Sequence, residues 1–224
     1  MSVSVAFYQR QLYPFQDAVL AVINRLETEF YLTGGTAVSR AYCQHRFSDD
    51  LDLFVNDHSS FSLWGERIIA ALTHRPDWHC VVNQKDDRFM RLTLEKNRVL
   101  LKIDLVNDVP AHVGEIEYHP ILGRVDSPEN ILANKLSAIL SRGESKDLAD
   151  IWALTHYLQL SITAAITNAQ SKAAGIFPVA LARILLNAEK ADWEVIRWQS
   201  APTVDEFLKD LHTLGESLIL GGEV

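Results

Sequence analysis

The residues best suited to chemistry lie in two short stretches of the first quarter of the chain. Gly34-Gly35-Thr36 follows an apolar run, Phe30 to Leu32, and precedes a helical pattern from Thr36 to Tyr42. Paired glycines between a strand and a helix let backbone approach a ligand closely, and the helix start offers free N–H groups to a phosphate. Thr36 adds a hydroxyl donor. The same trio also suits a plain tight turn with Thr36 as a helix cap. The second stretch is Asp50-Leu51-Asp52-Leu53-Phe54. Residues two apart on a strand project from one face, so Asp50 and Asp52 converge. Adjacent carboxylates repel unless a cation neutralises them, and an all-oxygen donor set suits Mg²⁺. A solvated polar strand face accounts for an isolated pair equally well, and Asp49 and Asp57 read as ordinary surface acids.

A third carboxylate, Asp104, lies in the apolar run Val99 to Val106. Burying an acid there is costly unless it is paired or bound to metal. Beside the Asp50–Asp52 strand it would complete three carboxylates, enough to hold two divalent ions that activate an attacking oxygen and stabilise a leaving phosphate oxygen. The alternative is a strand-end acid that reaches water or pairs with Lys102. A second cluster lies on helices. Lys135 and Arg142 are seven apart and share a helix face. Lys146 with Asp150, at i, i+4, and Asp147 with Asp150, at i, i+3, can gather on one side of the next helix. Exposed helix pairs, each worth about 0.3–0.5 kcal/mol, are the alternative there.

In order, Gly34-Gly35-Thr36, Arg46-x-Ser48-x-Asp50-Leu51-Asp52 and Asp104 resemble the minimal nucleotidyltransferase fold of the polymerase-β superfamily. More narrowly, with Lys135, Arg142 and Lys146-Asp147-x-x-Asp150, the chain resembles the AbiEii/AbiGii toxin family of nucleotidyltransferases over roughly residues 30 to 155. Lys146 stands where that family more usually has Arg, which keeps the charge and loses bidentate geometry. The resemblance implies Mg²⁺ or Mn²⁺ at Asp50, Asp52 and Asp104, and an NTP held by Gly34, Gly35, Thr36, Arg46, Ser48, Lys135, Arg142, Lys146 and Asp150. It implies catalytic roles for Asp50, Asp52, Asp104, Lys135 and Asp147. Lys135 would meet the nucleotide phosphates, Asp147 would orient a catalytic base or cation, and Asp150 would hold Lys135 or Arg142 in place. The implied reaction moves a nucleoside monophosphate from the NTP to an acceptor hydroxyl. The acceptor would be RNA (a tRNA 3′ end among the candidates), a protein or a small molecule, and the implied setting is the toxin half of a pair with a cognate antitoxin. Other readings are a small-molecule, antibiotic-type nucleotidyltransferase and an inactive nucleotide-binding protein of this fold.

The elements that must position these groups follow from hydrophobic periodicity. Helices are predicted from about residue 8 to 28, from Thr36 to Tyr42 and from Phe61 to Thr73. Strands are predicted at Phe30 to Leu32, Leu51 to Val55, Trp78 to Val82, Phe89 to Glu95 and Val99 to Val106, the last two joined at Lys96-Asn97. Tyr118 to Arg124, which holds Pro120, reads as an edge or connecting segment. From Ser127, a plausible N-cap followed by Pro128, the pattern turns helical to the end, with three or four helices after the one at Lys146 to Leu158. The expected fold class is α+β: a mixed sheet flanked by helices over residues 1–125, then a helical region over 126–224 packed against it.

Composition agrees with a globular chain. Of 224 residues, 48% are hydrophobic and 22% charged, which argues against a disordered chain. A net charge of −8 excludes a generally basic nucleic-acid coat. Residues 85 to 102 nevertheless carry six cations against three acids, a charged hairpin that could also guide RNA or triphosphate. Cys43 and Cys80 are too few for a disulfide framework. The stretch Met1 to Asp17 lacks a signal-peptide layout, and no apolar run is long enough to span a membrane, so the expectation is a soluble cytoplasmic protein with no membrane partner.

Overall fold

The structure, a computed structural model, describes residues 5–170 and 177–220. These form two compact units: residues 5–37, 48–110 and 115–126 in the first, and 38–47, 111–114, 127–170 and 177–220 in the second.

The first unit is built on a mixed sheet of seven strands: β1 (Tyr31–Thr33), β2 (Leu51–Asn56), β3 (His79–Lys85), β4 (Phe89–Lys96), β5 (Val99–Asp108), β6 (Glu117–His119) and β7 (Gly123–Val125). Their order is β3-β4-β5-β2-β1-β7-β6. The β2–β5 and β1–β7 pairs are parallel, and the other four are antiparallel. Alternation along the strands separates the two faces. Leu51, Leu53, Val55, Met90, Leu92, Leu94, Leu101, Ile103 and Leu105 are buried on one of them. The intervening residues, among them Asp52, Arg91, Lys102 and Asp104, occupy the other. The helices of this unit are α1 (Val5–Phe7), α2 (Tyr13–Ile23), α3 (Gly34–Ala37) and α4 (Phe61–Thr73), with a π-helical segment, Tyr8–Leu12, between the first two.

Most expected elements stand where periodicity put them, with α4 at its expected bounds. The first helix stops at Ile23 rather than residue 28, and Asn24 closes it by donating to the Leu20 carbonyl. The β4–β5 turn is Asn97-Arg98, one residue later than expected. Both residues have positive φ, 52° and 66°, the backbone of a type I′ hairpin turn, which Asn tolerates in place of glycine.

The second unit contains α5 (Pro128–Arg142), α6 (Ser145–Leu158), α7 (Ile162–Gln170), α8 (Pro178–Leu186), α9 (Lys190–Val195) and α10 (Val204–Leu220). Ser127 caps α5 as expected, accepting from the Asn130 N–H at 3.1 Å, with Pro128 in the first turn. Gly143, left-handed at φ +63°, ends it. Fully buried Trp152 packs edge-on against Trp198 and Phe207, so the tryptophans serve packing. Val38–Cys43, a π-helical segment, leads into residues 44–47, which are sewn into this unit by backbone. Arg46 and Trp198 form an antiparallel bridge, Phe47 donates to the Arg197 carbonyl at 2.8 Å, and Gln199 donates to the His45 carbonyl at 2.9 Å. Among the described residues no helix is long and apolar enough to cross a membrane.

Candidate active site

Strand register decides which polar side chains of the first unit meet. Thr33 lies opposite Asp52 across β1–β2, Asp52 beside Asp104 across parallel β2–β5, and Asp104 opposite Arg91 across β5–β4. One transverse row on one face therefore reads Thr33, Asp52, Asp104, Arg91. Arg91 grips Asp104 with two hydrogen bonds of 2.8 Å. Asp50 enters from just before β2: the Lys102 ammonium is 2.7 Å from its Oδ2 and 3.8 Å from Asp104 Oδ2, so one cation touches both acids. Thr33 turns its hydroxyl to fully buried Asp126.

The electrostatics tie the three acids together. The Arg91 guanidinium is pushed above its ordinary value, first by its hydrogen bonds to Asp104 and then by the charges of Asp104, Asp50 and Asp52. For Lys102 the largest influence is burial, which lowers its pKa. The hydrogen bond to Asp50 and the charges of Asp50, Asp104 and Asp52 outweigh it, and the net direction is upward. Two cations thus report one concentrated negative potential on this face.

Gly34 explains the local sequence before α3. Its φ is +67°, and a Cβ there would collide with the Asp52 carboxylate, so the backbone lies directly against that acid. Gly35 and Thr36 are buried behind it. Thr36 was expected to offer its hydroxyl to a phosphate, and the structure employs it otherwise. The side chain is fully buried, with Oγ1 3.0 Å from Ser48 Oγ and hydrogen-bonded to the Asp50 carbonyl, so it braces the entry to β2 together with Ser48.

The donor set fits a divalent ion in kind: hard carboxylate oxygens on one face, held at negative potential. In position it is engaged by side-chain cations, Arg91 on Asp104 and Lys102 on Asp50. Among the described residues no three His, Cys, Asp or Glu side chains already stand at metal-holding geometry.

In the second unit the helical cluster is a buried ion network. Asp150, fully buried, receives two 2.7 Å hydrogen bonds from Arg46, lies 2.6 Å from the Lys135 ammonium, and is 2.9 Å from His45 Nε2. Asp147, also buried, is 2.9 Å from Lys135 and takes two 2.7 Å bonds from Arg142. Burial alone would raise both acids. At Asp150 the charges of Arg46 and Lys135 and the bonds from His45 and Arg46 overcome that and hold it well below the usual carboxylate range. At Asp147 Arg142 and Lys135 also leave a net lowering. Burial pushes the Cys43 thiol up to about 12, helped by the Asp150 charge. Asp150 and Asp147 share Lys135, and Arg142 belongs to Asp147. Lys146 does not gather with the two acids: its ammonium reaches Glu144 at 2.7 Å on a half-exposed surface.

Three partners escaped the sequence reading. Arg91 was counted only as part of a charged hairpin, although a two-residue turn at Asn97-Arg98 fixes it opposite Asp104. The contacts of His45 and Asp126 gave no local signal, since Asp150 lies 105 residues from His45 and Thr33 lies 93 from Asp126.

A family model described as the nucleotidyl transferase AbiEii toxin, type IV toxin–antitoxin system, matches residues 18–213. JHP933 from Helicobacter pylori has a similar structure, with a TM-score of 0.63 at 19% identity, covering 98% of this chain and 94% of that one. MenT4, a nucleotidyltransferase toxin from Mycobacterium tuberculosis H37Rv, superposes with a TM-score of 0.65 at 16% identity, covering 93% and 82%. At these identities the likeness is one of fold. None of the curated proteins gives a significant match.

Proposed function

We propose that this chain, which belongs to the AbiEii nucleotidyltransferase toxin family and is a nucleotidyltransferase, transfers a nucleoside monophosphate from an NTP to an acceptor hydroxyl, with Mg²⁺ or Mn²⁺ held by Asp50, Asp52 and Asp104. The observation that carries the reading is the pairing of Asp52 with Asp104 in parallel register, with Asp50 drawn to the same face by Lys102. A bound divalent ion would supply charge neutralisation at the phosphates and acidify the attacking hydroxyl.

The chain's own residues do the rest. Arg91 fixes the Asp104 carboxylate by a two-point grip, leaving its remaining lone pairs to orient the acceptor hydroxyl and accept its proton. Gly34 and Gly35 supply backbone without side-chain bulk next to Asp52, where a triphosphate can approach closely. Thr36 and Ser48 act as braces for the segment that carries Asp50. In the helical unit, Asp147 and Asp150 hold Arg46, Lys135 and Arg142 in place as a buried framework. The acceptor is RNA, a protein or a small molecule. The setting is the cytoplasm, where NTPs are abundant, as the toxin partner of a cognate antitoxin.

The test is label transfer from α-labelled NTPs, with Mg²⁺ and either total RNA or cell lysate, by the native protein and by Asp50→Asn/Asp52→Asn. The double variant should lose transfer by on the order of 100-fold or more. Equal transfer by the two proteins, or no Mg²⁺–NTP binding by the native one, would defeat the reading.

A further inference from the structure

We infer that Lys102 is a built-in counter-cation of the carboxylate site, one that yields Asp50 and Asp104 to an incoming divalent ion and so sets the affinity for it. The inference rests on the reading that Asp50, Asp52 and Asp104 hold that ion.

Geometry separates Lys102 from the other cation on this face. Its ammonium makes one short contact, 2.7 Å to Asp50 Oδ2, and a longer one, 3.8 Å to Asp104 Oδ2. It therefore sits between two of the three acids, on β5 two residues before Asp104 and on the same face. Arg91 instead holds Asp104 alone, through two parallel 2.8 Å bonds. A guanidinium fork is fixed by its geometry, whereas an ammonium is a point charge on a flexible four-carbon stem. The Lys102 and Asp50 side chains are 37% and 36% exposed, so the stem can swing its charge into water.

Charge balance gives the arrangement a purpose. Three carboxylates on one face repel one another unless a cation stands among them. A divalent ion needs the same Asp50 and Asp104 oxygens, and an ammonium standing among them opposes it by like-charge repulsion. Binding the ion is therefore an exchange, in which the ion pairs of Lys102 are broken as new ligand bonds form. Without the ion, Lys102 offsets the charges of Asp50 and Asp104. With it, the displaced ammonium adds positive charge beside a site that takes a polyanionic nucleotide.

The experiment measures free Mn²⁺ by its electron paramagnetic resonance signal during titration of the full-length protein without nucleotide. The proteins compared are native, Lys102→Met, Lys102→Gln and Lys102→Arg. Partners of metal ligands alter affinity by about 10–100-fold; the Met and Gln variants should bind Mn²⁺ about tenfold more tightly than the native protein, and Lys102→Arg close to native. Thermal unfolding gives a second readout: without metal the Met and Gln variants should melt lower, and Mn²⁺ should raise their Tm more than it raises the native one. Tight binding by Lys102→Arg equal to that of Lys102→Met would overturn the inference, because charge would then not be the cause. If the native protein binds Mn²⁺ and the neutral variants bind it equally or more weakly, the inference falls and the metal reading stands. If none of the four proteins removes the free Mn²⁺ signal, both fall.

Discussion

Two groups of buried or half-buried carboxylates behave oppositely in this molecule. In the sheet unit, Asp50, Asp52 and Asp104 share a face with Arg91 and Lys102, whose side chains are 40% and 37% exposed. In the helical unit, Asp147 and Asp150 are fully buried, and Arg46 and Lys135, at 5% and 7% side-chain exposure, are almost fully buried. The first group has more acids than cations within contact, the second more cations than acids. An excess of partly solvated acid is a site where cations exchange. A buried network with its acids fully engaged is a framework, since breaking any pair strands a charge in low dielectric. The family resemblance lists both clusters as site residues, and their environments assign them different work.

The largest effect that could break this contrast is on stability. Asp150→Ala leaves Arg46, Lys135 and His45 without their shared acceptor and should cost about 3–5 kcal/mol in urea unfolding. Asp104→Ala should cost about 1 kcal/mol or less, because its partner reaches water and the neighbouring acids gain relief. Equal losses for the two variants would erase the distinction between site and framework.

A smaller effect sharpens the same contrast through two glycines in left-handed conformation. Gly34→Ala meets both an unfavourable φ and the Asp52 carboxylate, whereas an added Cβ at Gly143 meets nothing within 4 Å among the described residues beyond its own chain neighbours. Gly143→Ala should cost only the backbone strain, about 1 kcal/mol. Gly34→Ala should cost about 1–3 kcal/mol and also weaken Mn²⁺ binding by displacing Asp52. If chemical denaturation ranks the two equally and metal binding survives in both, the close approach of Gly34 to Asp52 has no functional weight.

The strands of the sheet site were legible because alternation is a local signal. Alternation placed Asp52 and Asp104 on strands, and a two-residue hairpin turn sets Arg91 opposite Asp104 once its position is known. The error of one residue in that turn hid the pairing, since a type I′ turn without glycine carries a weak signal. Thr36 read as a phosphate donor or a helix cap because sequence shows a residue's chemistry but not its prior engagements. The helical network was legible only as spacing within α5 and α6. Its deepest member, Asp150, is satisfied by His45 and Arg46 from more than a hundred residues away, and no periodicity encodes such a contact. Lys146 shows the converse, since helical spacing allowed it into the cluster and its half-exposed position took it to Glu144.

The subtlest test probes how closed the helical network is, through His45. The ring is fully buried, its Nε2 faces Asp150 and, among the described residues, its Nδ1 has no hydrogen-bond partner. Burial is the largest influence and lowers its pKa from the ordinary 6.5, with Arg46 and Lys135 adding to that against the pull of Asp150. A neutral ring donating from Nε2 satisfies Asp150, while a proton on Nδ1 would create a buried donor with nothing to receive it. The sign follows by linkage. Below about pH 6.5 the unfolded chain takes up a proton that the folded protein resists, so stability falls on acidification from there toward the lowered folded value. Asp147 and Asp150, held below the usual range, contribute fully above about pH 4 and lose their contribution only as pH falls through their depressed values. The window from pH 6.5 to 5 therefore isolates the imidazole. Urea midpoints of native and His45→Gln proteins, compared at pH 7.5, 6.5 and 5.5, should diverge by up to about 1 kcal/mol per pH unit, with the variant flatter. Parallel profiles would mean that the ring takes its proton within the folded network, and that the framework is more open than its geometry indicates.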